Sequence, residues 1–285
     1  MKQPAYLTPI LNNLFHTYHT VRYLSPDPIE IVHTFKSSGD REVAGFIAAS
    51  FAYGNVTQII RNLNRILEPM GTSPADFLFT QNRARIANTY SQIRYRFNSG
   101  KDIVHFFVGI AHMLKTNGSL KAAFLKGWNE NDADILPALS HFVDKLRLSC
   151  GNHSDSFSRG LQFLLPLPAK GSSCKRLNMF LRWMVRPDDG IDLGLWPEIP
   201  PSKLIIPLDT HMARLSSYIG LTKRRTLSLK MALEITESLR KIDPNDPCKY
   251  DFAITRLGIL KKCGTHPTIQ LCKGCLLREV CNVRA

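Results

Sequence analysis

Apolar residues along the chain recur mostly at the i, i+3, i+4 and i+7 spacing of amphipathic helices, whereas alternating strand-like runs are scarce. The run over 45–53 indicates a buried helix, and 56–66 indicates an amphipathic one with Arg61 and Arg65 facing outward. Further helices are predicted over 73–78, 86–97, 103–114, 119–128, 133–149, 174–185, 210–219, 227–240 and 249–260. The pattern therefore predicts an all-α protein.

The helical periodicity fails between Arg186 and Pro207, where seven Pro and Gly residues interrupt the chain. A length of 285 residues is enough for about two domains. We therefore predict two helical lobes. One covers 40–186, and the other combines 1–39 with 187–285.

The charge balance is strongly basic, with 37 Lys and Arg against 23 Asp and Glu, a net +14. Such a balance favours a polyanionic partner and disfavours a role limited to small neutral substrates. Residues 201–285 hold 15 Lys and Arg against 7 Asp and Glu, so more than half of the excess lies there. The C-terminal lobe is therefore expected to provide many of the contacts to nucleic acid.

The N-terminal residues carry one charge and two prolines without a sustained apolar run, which is not the pattern of a secretory signal. The most apolar stretch, 103–114, is shorter than the ~20 residues of a membrane span. We therefore expect a cytoplasmic protein with no membrane partner. In that compartment clustered cysteines bind metal more often than they form disulfides.

Four of the seven cysteines follow the spacing C-x8-C-x2-C-x5-C at the end of the chain: Cys263, Cys272, Cys275 and Cys281. Four thiolates held this closely need a cation to offset their repulsion. Zinc ribbons usually pair two C-x2-C knuckles, whereas one knuckle between two single cysteines suits a 4Fe-4S cluster. The spacing favours iron-sulfur and leaves zinc, or no metal, as alternatives.

Two further residues are candidates for chemistry. Asp209 stands where the helical pattern restarts, which favours a helix N-cap and is compatible with a carboxylate at the mouth of a cleft. Lys175 begins an apolar run, where it is either a solvated charge or phosphate contact, or a nucleophile with a lowered pKa. His211, beside Asp209, fits a structural role.

Three features follow one another along the chain: a Gly-containing turn with Lys175, the segment Leu208-Asp209-Thr210-His211-Met212-Ala213-Arg214, and the four cysteines. This order resembles the helix-hairpin-helix DNA glycosylase superfamily. The endonuclease III-like branch, with its C-terminal iron-sulfur loop, is the most similar. The stretch 174–186, followed by Leu193-Gly194-Leu195-Trp196, also looks like a bacterial branch of that superfamily without an assigned activity. The resemblance covers about 40–281.

The resemblance implies a two-lobed base-excision repair glycosylase that flips a nucleotide out of damaged double-stranded DNA, with an associated abasic-site lyase activity. Asp209 would be the catalytic carboxylate, Lys175 the Schiff-base nucleophile and the four cysteines the cluster ligands. DNA contacts would come from the hairpin, from an intercalating residue and from the cluster loop: Gly171, Ser172, Ser173, Tyr53 or Asn55, Lys273 and Arg278. A nucleoid-associated monomer is expected. The alternative is a DNA- or structured-RNA-binding protein of the same fold without the chemistry.

The chain departs from the family pattern at three places. The hairpin keeps one glycine, Gly171, where the family has two, and the first cysteine gap is x8 instead of x6. The 33 residues between Lys175 and Asp209 exceed the family spacing, so Pro187–Pro207 is expected to loop out if Lys175 and Asp209 are to meet.

Overall fold

The computed structural model describes residues 4–151, 157–266 and 268–283, and within them it confirms the all-α prediction. These residues form fifteen α-helices and one isolated β-bridge, with no strand. The helices are α1 Pro4–Tyr18, α2 Ile29–Val32, α3 Ser38–Phe51, α4 Val56–Leu67, α5 Pro74–Thr80, α6 Arg83–Tyr90, α7 Gly100–Asn117, α8 Leu120–Leu125, α9 Leu136–Ser149, α10 Arg159–Leu164, α11 Lys175–Val185, α12 Thr210–Tyr218, α13 Leu229–Arg240, α14 Asp251–Ile259 and α15 Ile269–Lys273. None of them combines the length and apolar character that a membrane crossing requires.

The chain divides into two compact units. The first combines Met1–Ser25 with Gly171–Ala285, and the second is Pro26–Lys170. These boundaries differ from the sequence-based ones at 39/40 and 186/187. As a result α11, which begins with Lys175, belongs to the same unit as Asp209.

The second unit is built around α3 and α7, whose apolar faces are fully buried. Phe46 of α3 packs against Phe106 of α7 and against Phe142 of α9, with ring centroids 5.6 and 5.8 Å apart. Buried carboxylates fix the helix ends. Glu42 accepts from the backbone N–H groups of Leu120 and Lys121 at 2.8 and 2.9 Å, which satisfies two donors at the start of α8.

The predicted helix over 86–97 ends early, at Tyr90. Tyr95 and Asn98 exchange backbone hydrogen bonds of 3.1 and 2.9 Å across a tight turn, and Arg96 within it has φ 53°. A non-glycine residue in this left-handed region is strained. Ser99 then caps α7 in a capping box with Asp102. Local turn and cap hydrogen bonds therefore override the helical periodicity here.

In the first unit, the Pro- and Gly-rich segment before Asp209 packs against α11 and does not loop out, contrary to the sequence-based expectation. The N–H groups of Leu193 and Trp196 donate to the carbonyls of Trp183 and Met184, both at 2.8 Å. The indole of Trp196 is fully buried, edge-on to Phe180 at 5.3 Å. This segment therefore contributes buried apolar side chains to the core, although their spacing in the sequence is not helical.

Candidate functional site

Asp209 is the N-cap of α12, as the sequence predicts. Its Oδ1 accepts a hydrogen bond of 2.7 Å from the backbone N–H of Met212, and its φ and ψ are extended. The preceding residues 204–208 are buried, and the N–H of Ile206 donates to Thr236 Oγ1 at 3.0 Å. The carboxylate is half-exposed, so one oxygen serves the helix while the side chain still reaches solvent.

Helix α12 packs closely on α14, because Gly258 leaves room for the imidazole of His211. An added Cβ at Gly258 would overlap the His211 ring. His211 Nδ1 lies 3.3 Å from Nη2 of Arg214. His211 is therefore a packing residue, in agreement with the structural role that the sequence favours.

Beneath Asp209 lies a buried network of arginines and carboxylates. Arg182 on α11 contacts Asp192 Oδ1 at 3.0 Å and Asp251 Oδ2 at 2.5 Å, and all three side chains are at most 6% exposed. Within the described residues, the second oxygen of Asp251 has no hydrogen-bond partner. Burial raises the pKa of Asp251 to about 6, although Arg182 lowers it; the negative charge of Asp209 adds to the rise. Asp209 is therefore close enough to this network to interact with it electrostatically.

The network continues at Arg186, the residue that follows the end of α11. Its guanidinium pairs with Asp192, with Asp189 at 3.2 Å and with Asp246 at 2.8 Å. Burial opposes ionisation of Asp189, but its hydrogen bond with His19 at 2.7 Å and the charge of Arg186 hold its pKa well below the usual range. The side-chain N and O atoms of His19, Asp189 and Asp192 that could bind a metal ion all lie within 4.8 Å of one another. Because Arg186 donates to both carboxylates, ion pairing accounts for this cluster.

Lys175 is the first residue of α11 and is half-buried. The turn before it begins at Gly171 with φ 79°, and Ser172 Oγ accepts from the N–H of Cys174 at 3.2 Å. Cys174, the N-cap position, has left-handed φ 45° and ψ 39°, with no side-chain cap. Among the described residues, Lys175 and Asp209 share no hydrogen bond or ion pair. The structure therefore places both in one unit without joining them.

The four tail cysteines line a single small cavity of about 20 Å³, together with Lys262, Leu271, Arg278 and Val283. Each is partly exposed, and all seven cysteines are free thiols. Burial raises the pKa of Cys263 and of Cys275, and the charges of neighbouring cysteines raise both further. No three of the described sulfur atoms come within 4.8 Å of one another.

The cysteine segment is attached to the same helices that carry Asp209 and its neighbours. The N–H of Cys263 donates to Leu257 O at 2.9 Å, and Arg214 Nη2 donates to Cys263 O at 2.9 Å. The N–H of Asn282 donates to Tyr218 O at 2.7 Å. Hydrogen bonds at both ends of the segment thus fix it to α12 and α14.

The predicted DNA contacts fall at separate places. In the first unit, Lys273 ends α15 and is exposed, and Arg278 lines the cysteine cavity. In the second unit, Asn55 is the N-cap of α4, accepting from Thr57 N at 3.0 Å. Its Oδ1 is thus engaged in the cap, while the residue as a whole is exposed.

Tyr53 is the centre of an aromatic cluster in the second unit. Its hydroxyl donates to Asn98 Oδ1, and its ring stacks on Phe97 at 5.5 Å and meets Phe163 edge-on at 4.9 Å. Phe97 and Phe163 are 56% and 37% exposed, and Arg96 lies over the Phe97 ring at 5.4 Å. Tyr53 is thus held in place, while its two phenylalanine neighbours reach solvent.

Sequence reasoning missed the buried network and the exposed phenylalanines. The sequence does carry a signal for the network: Arg182 in α11 and Arg186 at its C-cap stand four residues apart and flank the apolar run Trp183-Met184-Val185. Two arginines on a buried face require carboxylates from elsewhere in the fold. Nothing in the local sequence names Asp251, which lies 69 residues beyond Arg182.

A sequence model of the family described as "Protein of unknown function (DUF2400)" matches residues 27–260 of the chain. No curated protein and no solved structure gives a significant match.

Proposed function

We propose that this chain, which belongs to the DUF2400 family of proteins of unknown function, is a DNA base-excision glycosylase of the helix-hairpin-helix type. The observation that carries the proposal is Asp209, a half-exposed carboxylate held as the N-cap of α12 beside a buried ionic network. A fixed carboxylate of this kind is suited to stabilising positive charge on a sugar. The net charge of +14 supports a DNA partner.

In the proposed reaction, basic side chains hold the phosphates and the damaged nucleotide leaves the stack, which is easiest for a mispaired or damaged base. The neutral amine of Lys175 forms a bond to the sugar C1′ as the bond from C1′ to the base breaks. The base leaves with that electron pair and takes up a proton. Asp209 stabilises the positive charge that develops on the sugar and assists proton transfer. The lysine nitrogen then loses a proton, and its lone pair forms the C=N bond as the bond from C1′ to the ring oxygen breaks and that oxygen takes up a proton. The resulting Schiff base also permits abasic-site lyase activity.

The fold that goes with this activity is a two-lobed glycosylase with a C-terminal iron-sulfur loop. The proposed hairpin is the turn between α10 and α11, in which Gly171, Ser172 and Ser173 would approach a DNA phosphate. Tyr53 and Asn55 remain the proposed intercalating positions, and the exposed rings of Phe97 and Phe163 beside Tyr53 add surface for base stacking. The proposed protein is a nucleoid-associated monomer that acts on double-stranded DNA.

The cysteine cavity fits a four-thiolate group, because all four side chains reach one space. A tetrahedral zinc with bonds of ~2.3 Å needs its sulfurs about 3.8 Å apart. Because no three of the described sulfurs lie within 4.8 Å of one another, their positions select neither metal. The preference for 4Fe-4S rests on the sequence spacing, in which one C-x2-C knuckle stands between two single cysteines. Cys263, Cys272, Cys275 and Cys281 would hold it, and when bound it would cross-link the segment covalently. Lys273 and Arg278 would contact phosphate nearby.

Anaerobically purified protein is therefore expected to be brown, with about four iron and four sulfide per chain. Cys275→Ser should lower both contents sharply, because it removes one ligand from the centre of the segment. Cys248→Ser, at a buried cysteine outside the segment, should leave them unchanged. Stoichiometric zinc in a colourless preparation would contradict the iron-sulfur assignment and support a zinc-stabilised, RNA-associated protein.

Borohydride trapping tests the proposed chemistry. Duplexes carrying a panel of damaged bases or an abasic site are incubated with the protein and borohydride, which reduces the Schiff base to a stable adduct. We expect a covalent complex that disappears in Lys175→Ala and persists in Lys230→Ala, an exposed lysine of the same unit. Undiminished trapping in Lys175→Ala would exclude Lys175 as the nucleophile.

The second candidate function is binding of DNA or structured RNA without catalysis. The turn before Lys175 favours it, because Ser172 Oγ is engaged by the backbone and only one glycine is present. Equal binding of damaged and intact duplexes, with no base release from any lesion, would support this candidate.

A further inference from the structure

A cavity of about 760 Å³ opens among α7, α8 and α9 of the second unit. All of its lining residues belong to that unit, so it is separate from Asp209 and from the tail cysteines. Its size falls within the ~300–1,000 Å³ of pockets that bind small molecules. The proposed glycosylase reaction makes no use of it.

The lining is basic. His112 comes from α7, Lys126 from the end of α8, and His141 and Lys145 from α9. Among the residues that the structure describes, no carboxylate lines the cavity, and none of these four side chains makes an ion pair or a hydrogen bond. The ammonium groups of Lys126 and Lys145 in this concave site attract anions.

Helix geometry explains how these side chains converge. His141 and Lys145 stand four residues apart on α9 and therefore share one face. Gly127 allows the chain after α8 to approach that face, since an added Cβ there would lie 2.7 Å from the Cβ of His141. Asp144, between the two in sequence, does not line the cavity.

The remaining lining is partly apolar. Met113 and Ala123 are buried at the cavity wall, and Leu148 is 57% exposed at the C-terminal end of α9. An anion-binding edge beside an apolar wall suits a ligand that has both a phosphate and a flat, weakly polar group. We propose that this cavity binds a nucleotide-sized phosphate ester, with Lys126 and Lys145 pairing with the phosphate.

Calorimetric titration of the full chain tests this site with five probes: inorganic phosphate, adenosine, deoxyadenosine monophosphate, and a short oligonucleotide with and without a 5′-phosphate. We expect the monophosphate to bind more tightly than phosphate or adenosine alone. Lys126→Gln and Lys145→Gln should each weaken its binding about tenfold, the value of one charged hydrogen bond. Lys36→Gln, an exposed lysine of the same unit outside the cavity, is the matched control.

If the free monophosphate binds and the binding depends on the two lysines, the site takes a free nucleotide. If only the phosphorylated oligonucleotide binds in this way, the site takes the end of a DNA strand. The proposal is overturned if neither binds saturably, if adenosine binds as tightly as the monophosphate, or if both cavity variants match Lys36→Gln. Both lysines are exposed, so unchanged thermal melting of the variants will separate lost binding from lost folding. If the cavity binds no phosphate ester, the expected result of the borohydride experiment is unchanged, because Lys175 lies in the other unit.

Discussion

Arg182→Ala is expected to lower the free energy of unfolding by about 3–5 kcal/mol, the usual effect of removing one partner from a buried ion pair. The change would leave the carboxylates of Asp192 and Asp251 buried without their shared cation. Because a domain's total stability is only about 5–15 kcal/mol, the loss should be obvious in urea denaturation.

Two controls show whether the effect comes from the unpaired charges. Arg225→Ala, an exposed arginine of the same unit, should change the free energy of unfolding by less than about 0.5 kcal/mol. Combining Arg182→Leu with Asp251→Asn removes the pair whose carboxylate has no other cation, while Asp192 keeps its ion pair with Arg186, and should recover part of the loss. A double variant less stable than Arg182→Ala would mean that the pair itself, not the stranded Asp251 carboxylate, supplies the stability.

The network also explains why some parts of the structure could be predicted and others could not. Helical spacing, the Asp209 cap and the grouping of the cysteines are local signals, since each depends on residues close together in the sequence; the widest of them, the cysteine segment, runs from Cys263 to Cys281. The pairing of Arg182 with Asp251 joins residues 69 positions apart, and only the folded chain brings them together.

The sequence-based prediction of helices contains two local errors, and they have different causes. The prolines at positions 4 and 9 hide α1, yet Pro4 opens this helix, where its missing N–H is not needed, and the helix continues past Pro9. The turn at Tyr95–Asn98 lies within a helical pattern because its aromatic residues serve the cluster around Tyr53, not a helix face. A helical spacing of apolar residues indicates buried positions, and at Tyr95 the burial arises from a turn, not from a helix.

Asp209→Asn should separate the two roles of this residue. Asparagine caps a helix about as well as aspartate, so α12 and the melting temperature should change little. The negative charge is lost, however, and base release should fall about 10²–10⁴-fold if the carboxylate stabilises the developing charge on the sugar. Single-turnover measurement of base release on a lesion that the wild-type protein cleaves will give this ratio.

Asp209→Ala serves as the comparison, since it removes both the cap and the charge. It should lose about 1 kcal/mol of stability in addition to the activity. If the asparagine variant keeps full activity, Asp209 is a cap only and the catalytic assignment is wrong. Activity lost in both variants, with stability lost only in Asp209→Ala, would mean that the fold uses one oxygen of this carboxylate while the reaction depends on its charge.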